Sequence, residues 1–318
     1  MIKVLANDGI STSGEQALQN AGFEVITQKV AQEQLANVIN EKDIAVLLVR
    51  SATKVRQDLI DACPGLKMIG RGGVGMDNID VEYAREKGLE VINTPAASSA
   101  SVAELVFAHL FGMVRFLYDA NRQMPLEGES SFKDLKKSYA KGKELSGKTL
   151  GIIGFGRIGQ EVAKRAIGLG MNVVVHDKFV NTKNIELSFF NGQTMNFEIT
   201  STSLEEVLKN SDFITLHIPK IGDNAVITSK EIGMMKEGAG IINAARGGVI
   251  DEDALMFALE KRKLDYAGLD VFENEPNPSI HLLMQENVSL TPHIGAATLE
   301  AQDRIGIELA DKIAAFFN

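Results

Sequence analysis

Thr149-Leu150-Gly151-Ile152-Ile153-Gly154-Phe155-Gly156-Arg157-Ile158-Gly159 is the stretch that decides the fold of this chain. Residues 149–153 are apolar and β-branched enough to read as a buried strand. Arg157–Leu169 then repeats apolar residues at helical spacing. A glycine turn between a strand and a helix is a phosphate cradle. Gly154 permits the tight turn, Gly156 lets the backbone approach a pyrophosphate, and Gly159 lets helix and strand pack closely. The N-terminus of the helix then faces the phosphates. The next apolar run ends at Asp177. A carboxylate there accepts hydrogen bonds from both ribose hydroxyls and repels a 2′-phosphate, so NAD is expected rather than NADP.

Outward from this turn, the second half of the chain carries six apolar runs: Leu150–Ile153, Val173–His176, Phe213–His217, Gly240–Asn243, Tyr266–Leu269 and Val288–Leu290. With helical patterns between them they predict a Rossmann sheet. The first hundred residues show the same rhythm, with runs at Val4–Ala6, Phe23–Ile26, Ile44–Val49, Lys67–Ile69 and Leu89–Ile92. This predicts an α/β protein with two doubly wound parallel sheets. Ser98–Leu117 reads as one long helix, with Ser101 and Glu104 at capping-box spacing. Residues 119–146 read as a polar, Lys-rich arm of weak helical content. Leu299–Phe317 reads as a helix that packs back on the first domain. Ile185–Phe189 and Met195–Ile199 alternate with period two around Asn191-Gly192, which predicts an inserted β-hairpin.

The 318 residues include 45% hydrophobic and 24% charged residues, the composition of a water-soluble globular protein of about two domains. The net charge of −9 and the lack of a basic stripe argue against a nucleic-acid partner. The run of residues from Met1 turns polar too quickly for a signal peptide, and no apolar run is long enough for a membrane span. The single cysteine, Cys63, forms no internal disulfide and fits a reducing cytoplasm. No metal site is expected.

Three groups at strand ends carry chemistry. Arg246 follows Gly240–Ala244 and precedes two glycines, and its planar guanidinium suits a substrate carboxylate. His293 stands after Val288–Leu290 between Pro292 and Gly295, at an expected domain crossover where a cleft forms. Glu275 follows Leu269-Asp270-Val271-Phe272. A carboxylate on one imidazole nitrogen fixes the tautomer and favours the protonated ring. Asp270 is placed to orient a nicotinamide amide. His217 and Pro219, at another strand end, are placed as a cofactor wall, whereas His109 reads as a core or interface residue.

These runs resemble the D-isomer-specific 2-hydroxyacid dehydrogenase family over nearly the whole chain. The resemblance rests on Gly154–Gly159, Asn243–Gly248, Gly268–Pro276 and Thr291–Thr298. It implies an NAD enzyme in which Arg246 binds the substrate carboxyl and carbonyl, His293 is the acid/base and Glu275 its partner. It implies cofactor contacts from Gly154, Gly156, Arg157, Ile158, Gly159, Asp177, His217, Ile218, Pro219, Ala244, Ala245, Asp270 and Gly295. It also implies a discontinuous substrate domain (residues 1–98 and 294–318, flavodoxin-like) and a nucleotide domain (99–293) whose segment 99–146 makes a homodimer.

Within the family, Leu48–Val55 and Gly70–Asp80 are most similar to phosphoglycerate dehydrogenases. By that resemblance Ser51 and the amides of Gly73 and Val74 hold the carboxylate, and Arg50 and Arg71 face a phosphate. The expected reaction is NAD-dependent oxidation of D-3-phosphoglycerate to 3-phosphohydroxypyruvate, the opening step of serine biosynthesis. A sequence ending at Asn318 is expected to be a short form without the regulatory domain of longer members. The alternatives are a reductase of hydroxypyruvate, glyoxylate or another 2-keto acid, and an NAD-sensing corepressor-like scaffold. Arg50 and Arg71, which an unphosphorylated substrate does not need, separate the first alternative, and a turnover assay separates the second.

Overall fold

The protein is described by a computed structural model over residues 1–317. Asn318, the last residue of the expected substrate domain, lies outside the described residues. The chain divides into two compact units: Met1–Ser101 with the segment from Ala296 onward, and Val102–Gly295.

The first unit alternates strands and helices: β1 (Lys3–Ala6), α1 (Thr12–Asn20), β2 (Glu24–Ile26), α2 (Leu35–Glu41), β3 (Ile44–Val49), α3 (Gln57–Ala62), β4 (Met68–Arg71), α4 (Val81–Glu86) and β5 (Glu90–Asn93). The strands form one parallel sheet in the order β2-β1-β3-β4-β5, the flavodoxin-like doubly wound arrangement. β3 is buried along nearly its whole length, as a central parallel strand covered on both faces must be. One face is covered by the C-terminal helix (Leu299–Phe317), whose Ile305, Leu309 and Ile313 join Val4, Leu48 and Met68 in a common core. That helix meets α1 at paired glycines. A Cβ on Gly14 would stand 2.5 Å from the Gly306 Cα, so the two backbones touch only because neither residue has a side chain.

The chain enters the second unit through α5 (Ser99–Val114), followed by α6 (Leu117–Glu127), α7 (Phe132–Ser138), β6 (Thr149–Ile153), α8 (Arg157–Gly168), β7 (Asn172–His176), β8 (Thr182–Ser188), β9 (Thr194–Thr200), α9 (Leu204–Asn210), β10 (Phe213–Leu216), α10 (Ser229–Met234), β11 (Ala239–Asn243), α11 (Glu252–Glu260), β12 (Leu264–Leu269), α12 (Ile280–Leu283) and β13 (Val288–Leu290). Six strands form a parallel sheet ordered β13-β12-β11-β10-β6-β7. The chain runs from β6 to β7 on one side and resumes at β10 on the other. The topological switch therefore lies beside β6, where ligands bind in such sheets.

Three features depart from the expected outline. The predicted helix over 98–117 stops at Val114, because Phe116 adopts φ 54, a left-handed conformation that cannot continue a right-handed helix. α5 and α6 meet there at a 53° bend. Ser101 lies inside α5 rather than at its start, and its hydroxyl pairs with that of Thr298 at 2.8 Å, so it does not form the expected capping box. The arm contains α6 and α7, more helix than its polarity suggested. The hairpin is β8–β9, turned at Asn191-Gly192 with Gly192 at φ 82. Among the described residues, no single helix is long and apolar enough to cross a membrane.

Candidate active site

The three glycines of the turn differ in their surroundings. A Cβ on Gly154 would lie 2.5 Å from the His217 carbonyl oxygen, and one on Gly159 would lie 2.2 Å from the Gly154 carbonyl oxygen. Those two glycines permit protein packing. A Cβ on Gly156 would meet nothing within 4 Å. Gly156 is the N-cap of the 12-residue α8 and has no side-chain cap, so the helix start is open to an anion. Arg157 is exposed at that start, and Ile158 packs on the core.

Asp177 ends β7 and reaches back to this turn. Its Oδ2 accepts from the Phe155 N–H at 2.6 Å, and its Oδ1 accepts from the N–H groups of Phe179 and Val180 at 2.8 and 2.9 Å. Burial works to raise its pKa, but these three amide donors outweigh burial and hold the carboxyl below its usual range. It keeps its negative charge beside the glycine turn.

His217 and Ile218 stand across from Gly154, and Pro219 is exposed beyond them. The His217 Nε2 pairs with Thr215 Oγ1 at 3.0 Å. Its Nδ1 is buried with no partner among the described residues, and burial pushes the ring's pKa down to about 3. An open helix start, an uncollided glycine, a charged Asp177 and an unmatched ring nitrogen fit the pyrophosphate, ribose and adenine ends of a dinucleotide.

Arg246 leaves β11 through a turn that Asn243 closes. The Asn243 amide nitrogen donates to the Arg246 carbonyl at 2.9 Å, and its oxygen accepts from the Ala245 N–H at 3.1 Å. Ala244 is buried behind this turn. A Cβ on Gly247 would stand 1.8 Å from the Phe272 carbonyl oxygen. Glycine alone lets the ends of β11 and β12 touch, and this contact sets the Arg246 turn against the segment leading to Glu275.

Glu275 and His293 are in direct contact: Nδ1 of the ring lies 2.7 Å from Oε2. The other oxygen, Oε1, accepts from the Phe272 N–H at 3.0 Å. Both side chains are partly exposed, at 48% for His293 and 36% for Glu275. His293 itself has φ 55. A left-handed backbone at a non-glycine residue is uncommon and is held in place by its surroundings. The holder is Asp270, which is 1% exposed. Its Oδ1 accepts from the Ile294 N–H and the Thr291 hydroxyl, each at 2.7 Å, and its Oδ2 accepts from the Gly295 N–H at 2.8 Å. Asp270, expected from its strand-end position to orient a nicotinamide amide, thus clamps the histidine loop, a role that nothing in its sequence context signals.

Arg50, Ser51, Arg71, Gly73 and Val74 belong to the first unit, at the carboxyl ends of neighbouring β3 and β4, where Val49 pairs with Arg71. Asp8, which the sequence reading passed over, shapes this loop. Its carboxylate accepts from the N–H groups of Arg50 and Thr53 at 2.7 and 3.0 Å. The Arg50 stem lies beside Gly72, where a Cβ would be 3.6 Å from its Cγ. The Arg71 guanidinium lies over Gly73 and donates to the Gly72 carbonyl at 2.9 Å. Of the two amides expected to hold a carboxylate, that of Gly73 is turned to the Arg71 carbonyl at 3.0 Å. Ser51 and Val74 are exposed. Cys63 is 1% exposed and burial pushes its thiol pKa up, so it is a core residue.

Comparison with known proteins agrees with this architecture. Residues 107–295 match the family model described as D-isomer specific 2-hydroxyacid dehydrogenase, NAD binding domain. The chain is 44% identical to a hydroxypyruvate reductase of Thermotoga maritima over 316 residues, covering 98% of this chain and 97% of that protein. It is 43% identical to a D-3-phosphoglycerate dehydrogenase of Methanocaldococcus jannaschii over 98% of this chain, but it spans only 57% of that protein's length. The structure of an Aquifex aeolicus D-lactate dehydrogenase complexed with NAD and lactic acid superposes with a TM-score of 0.74 at 30% identity, covering 100% of this chain and 95% of that one. The chain belongs to the D-isomer-specific 2-hydroxyacid dehydrogenase family, and it is an NAD-dependent oxidoreductase.

Proposed function

We propose that the chain interconverts D-3-phosphoglycerate and 3-phosphohydroxypyruvate, with the first unit recognising substrate and the second binding NAD. The observation that carries this reading is the pair of arginines around Gly72-Gly73. Arg50 and Arg71 stand at adjacent strand ends, and a guanidinium carries the planar fork of donors that suits phosphate oxygens. In a chain of net charge −9, such local cations are what capture a small polyanion.

NAD, when bound, supplies the nicotinamide that accepts the C2 hydride of the 2-hydroxy acid. The protein's own groups handle the proton and the carboxylate. A carboxylate cannot donate, so the bond from His293 to Glu275 places a hydrogen on Nδ1. Nε2 of the neutral ring then carries a lone pair, and it takes the hydroxyl proton as the C2–H bond breaks. In the reverse direction the same nitrogen returns the proton to the carbonyl oxygen. Arg246 binds the carboxylate and polarises the C2 oxygen. Glu275 offsets the positive charge that His293 acquires.

Dimerisation through the arm is part of this reading. Leu117, Met124, Leu126 and Phe132 of α6 and α7 are 57%, 43%, 78% and 56% exposed, which is apolar surface that a second copy would cover. Action in the cytoplasm fits the buried, unpaired Cys63. A second reading, reduction of hydroxypyruvate, is favoured by the likeness to the Thermotoga maritima enzyme over 97% of its length. Turnover with NAD on 3-phosphoglycerate and on glycerate, and with NADH on 3-phosphohydroxypyruvate and hydroxypyruvate, separates the two. The phosphoglycerate reading expects the phosphorylated member of each pair to have the higher kcat/KM. The reverse order establishes the second reading.

A further inference from the structure

Beneath the histidine loop, four side chains form a continuous hydrogen-bonded chain. His109, on α5, is 2% exposed. Its Nδ1 lies 2.8 Å from Ser289 Oγ and its Nε2 lies 3.1 Å from Thr291 Oγ1. The Thr291 hydroxyl donates to Asp270 Oδ1 at 2.7 Å. α5 is seated closely here, since a Cβ on Gly268 of β12 would lie 3.0 Å from the His109 Cβ.

Counting protons fixes the direction of the chain. A hydroxyl has one hydrogen, and that of Thr291 goes to Asp270. Thr291 Oγ1 therefore accepts from His109, which places the ring hydrogen on Nε2. Nδ1 is left as an acceptor, so Ser289 donates to it. Every link points toward Asp270, and aligned links polarise one another. Burial lowers the pKa of His109, and the nearby Asp270 charge opposes this only in part, so the ring stays in the singly protonated form the chain needs. Asp270 in turn holds the amides of Ile294 and Gly295, directly after the left-handed His293.

We propose that His109 is a positioning residue: acting through Thr291 and Asp270, it holds residues 293–295 in the turn that aims the His293 ring at Glu275. The inference rests on the reading of His293 as the acid/base. His109 does not touch the reacting atoms, and its effect is on the geometry of a group that does.

The test uses the 318-residue chain and four variants. His109→Leu keeps bulk and removes both bonds. His109→Gln retains an amide N–H that can donate to Thr291. The expected result is a kcat for His109→Leu lowered about ten- to hundredfold, the cost of a slightly misplaced catalytic group, with KM for NAD nearly unchanged. His109→Gln recovers most of kcat. In ¹⁵N NMR of the wild type, His109 appears as the Nε2–H tautomer. Wild-type kcat in His109→Leu overturns the proposal, even if the variant melts earlier, and so does an Nδ1–H tautomer. If His109→Leu does not fold, Thr291→Val keeps the β-branched shape and cuts the chain on both sides. The same fall in kcat then supports the proposal, and wild-type kcat overturns it. His293→Ala separates the two claims. If it is inactive while His109→Leu is normal, only the positioning role fails. If it turns over normally, the acid/base reading fails first.

Discussion

His293 Nδ1 stands 2.7 Å from Glu275 Oε2 across the ends of two strands, and His293 holds this contact from a left-handed backbone at φ 55. The ring is oriented through one nitrogen, so the other is presented for proton transfer. His293→Ala is expected to lower kcat about 10²–10⁴-fold, the range for a positioned acid/base, while NAD still binds. Glu275→Gln is expected to lower kcat less, because the ring itself remains. Steady-state kinetics with NAD-binding titrations measure both, and wild-type turnover in His293→Ala would remove the assignment.

Cofactor choice is expected to depend on Asp177. Its two oxygens are anchored by the amides of Phe155, Phe179 and Val180, so the charge is held in place at the end of β7, beside the glycine turn. Asp177→Ala should weaken NAD binding and reduce the preference for NAD over NADP. Equal wild-type kcat/KM with the two cofactors would contradict the role given to this carboxylate.

Stability should fall below neutral pH, in part through His217. The folded ring resists protonation down to about pH 3, whereas its ordinary pKa is 6.5. Between those values the unfolded chain binds more protons. Stability is therefore lost as pH falls below the unfolded value, by up to about 1.4 kcal/mol per pH unit from this group. Urea unfolding of the cofactor-free protein at pH 7.5 and 5.5 measures the loss. His217→Gln has no titrating ring and should show a smaller loss; an equal one would mean that other groups, His109 among them, carry the whole effect.

The β8–β9 hairpin should be separable from the chemistry only at its tip. Ile185 is 2% exposed, and Leu187 and Ile199 pack against the same core, so removing the whole insertion would uncover apolar surface. Phe190 is fully exposed at the turn. Replacing residues 189–193 by a two-residue Asn-Gly turn should leave kcat and KM unchanged. A folded, NAD-binding variant with a collapsed kcat would show that the hairpin serves the active site.

Much of this architecture was legible because parallel α/β sheets write themselves as short apolar runs separated by helical spacing. The glycine turn was readable from its spacing together with the strand before it and the helix after it, and Gly192 marked the hairpin because a tight turn needs positive φ. The break at Phe116 was not readable, because nothing in a phenylalanine announces a left-handed backbone. His109 was hidden for another reason. It sits on an apolar face, and its partners Ser289 and Thr291 are far away in sequence. The clamp by Asp270 was missed likewise, since its acceptors are filled by backbone amides that have no sequence signature. Asp8 and Asn243 shape the two arginine loops in the same way, accepting from the N–H groups of Arg50 and Ala245.

The central claim, recognition of a phosphorylated 2-hydroxy acid, is tested most directly by measuring kcat/KM for 3-phosphoglycerate and for glycerate in the wild type, Arg50→Ala and Arg71→Ala. A charge-assisted hydrogen bond contributes about 1.5–3 kcal/mol, so each variant should lose roughly ten- to hundredfold on the phosphorylated substrate. Glycerate, which lacks the phosphate, should lose little. Equal losses on both substrates would contradict the account, because the arginines would then shape the unit without reading the phosphate.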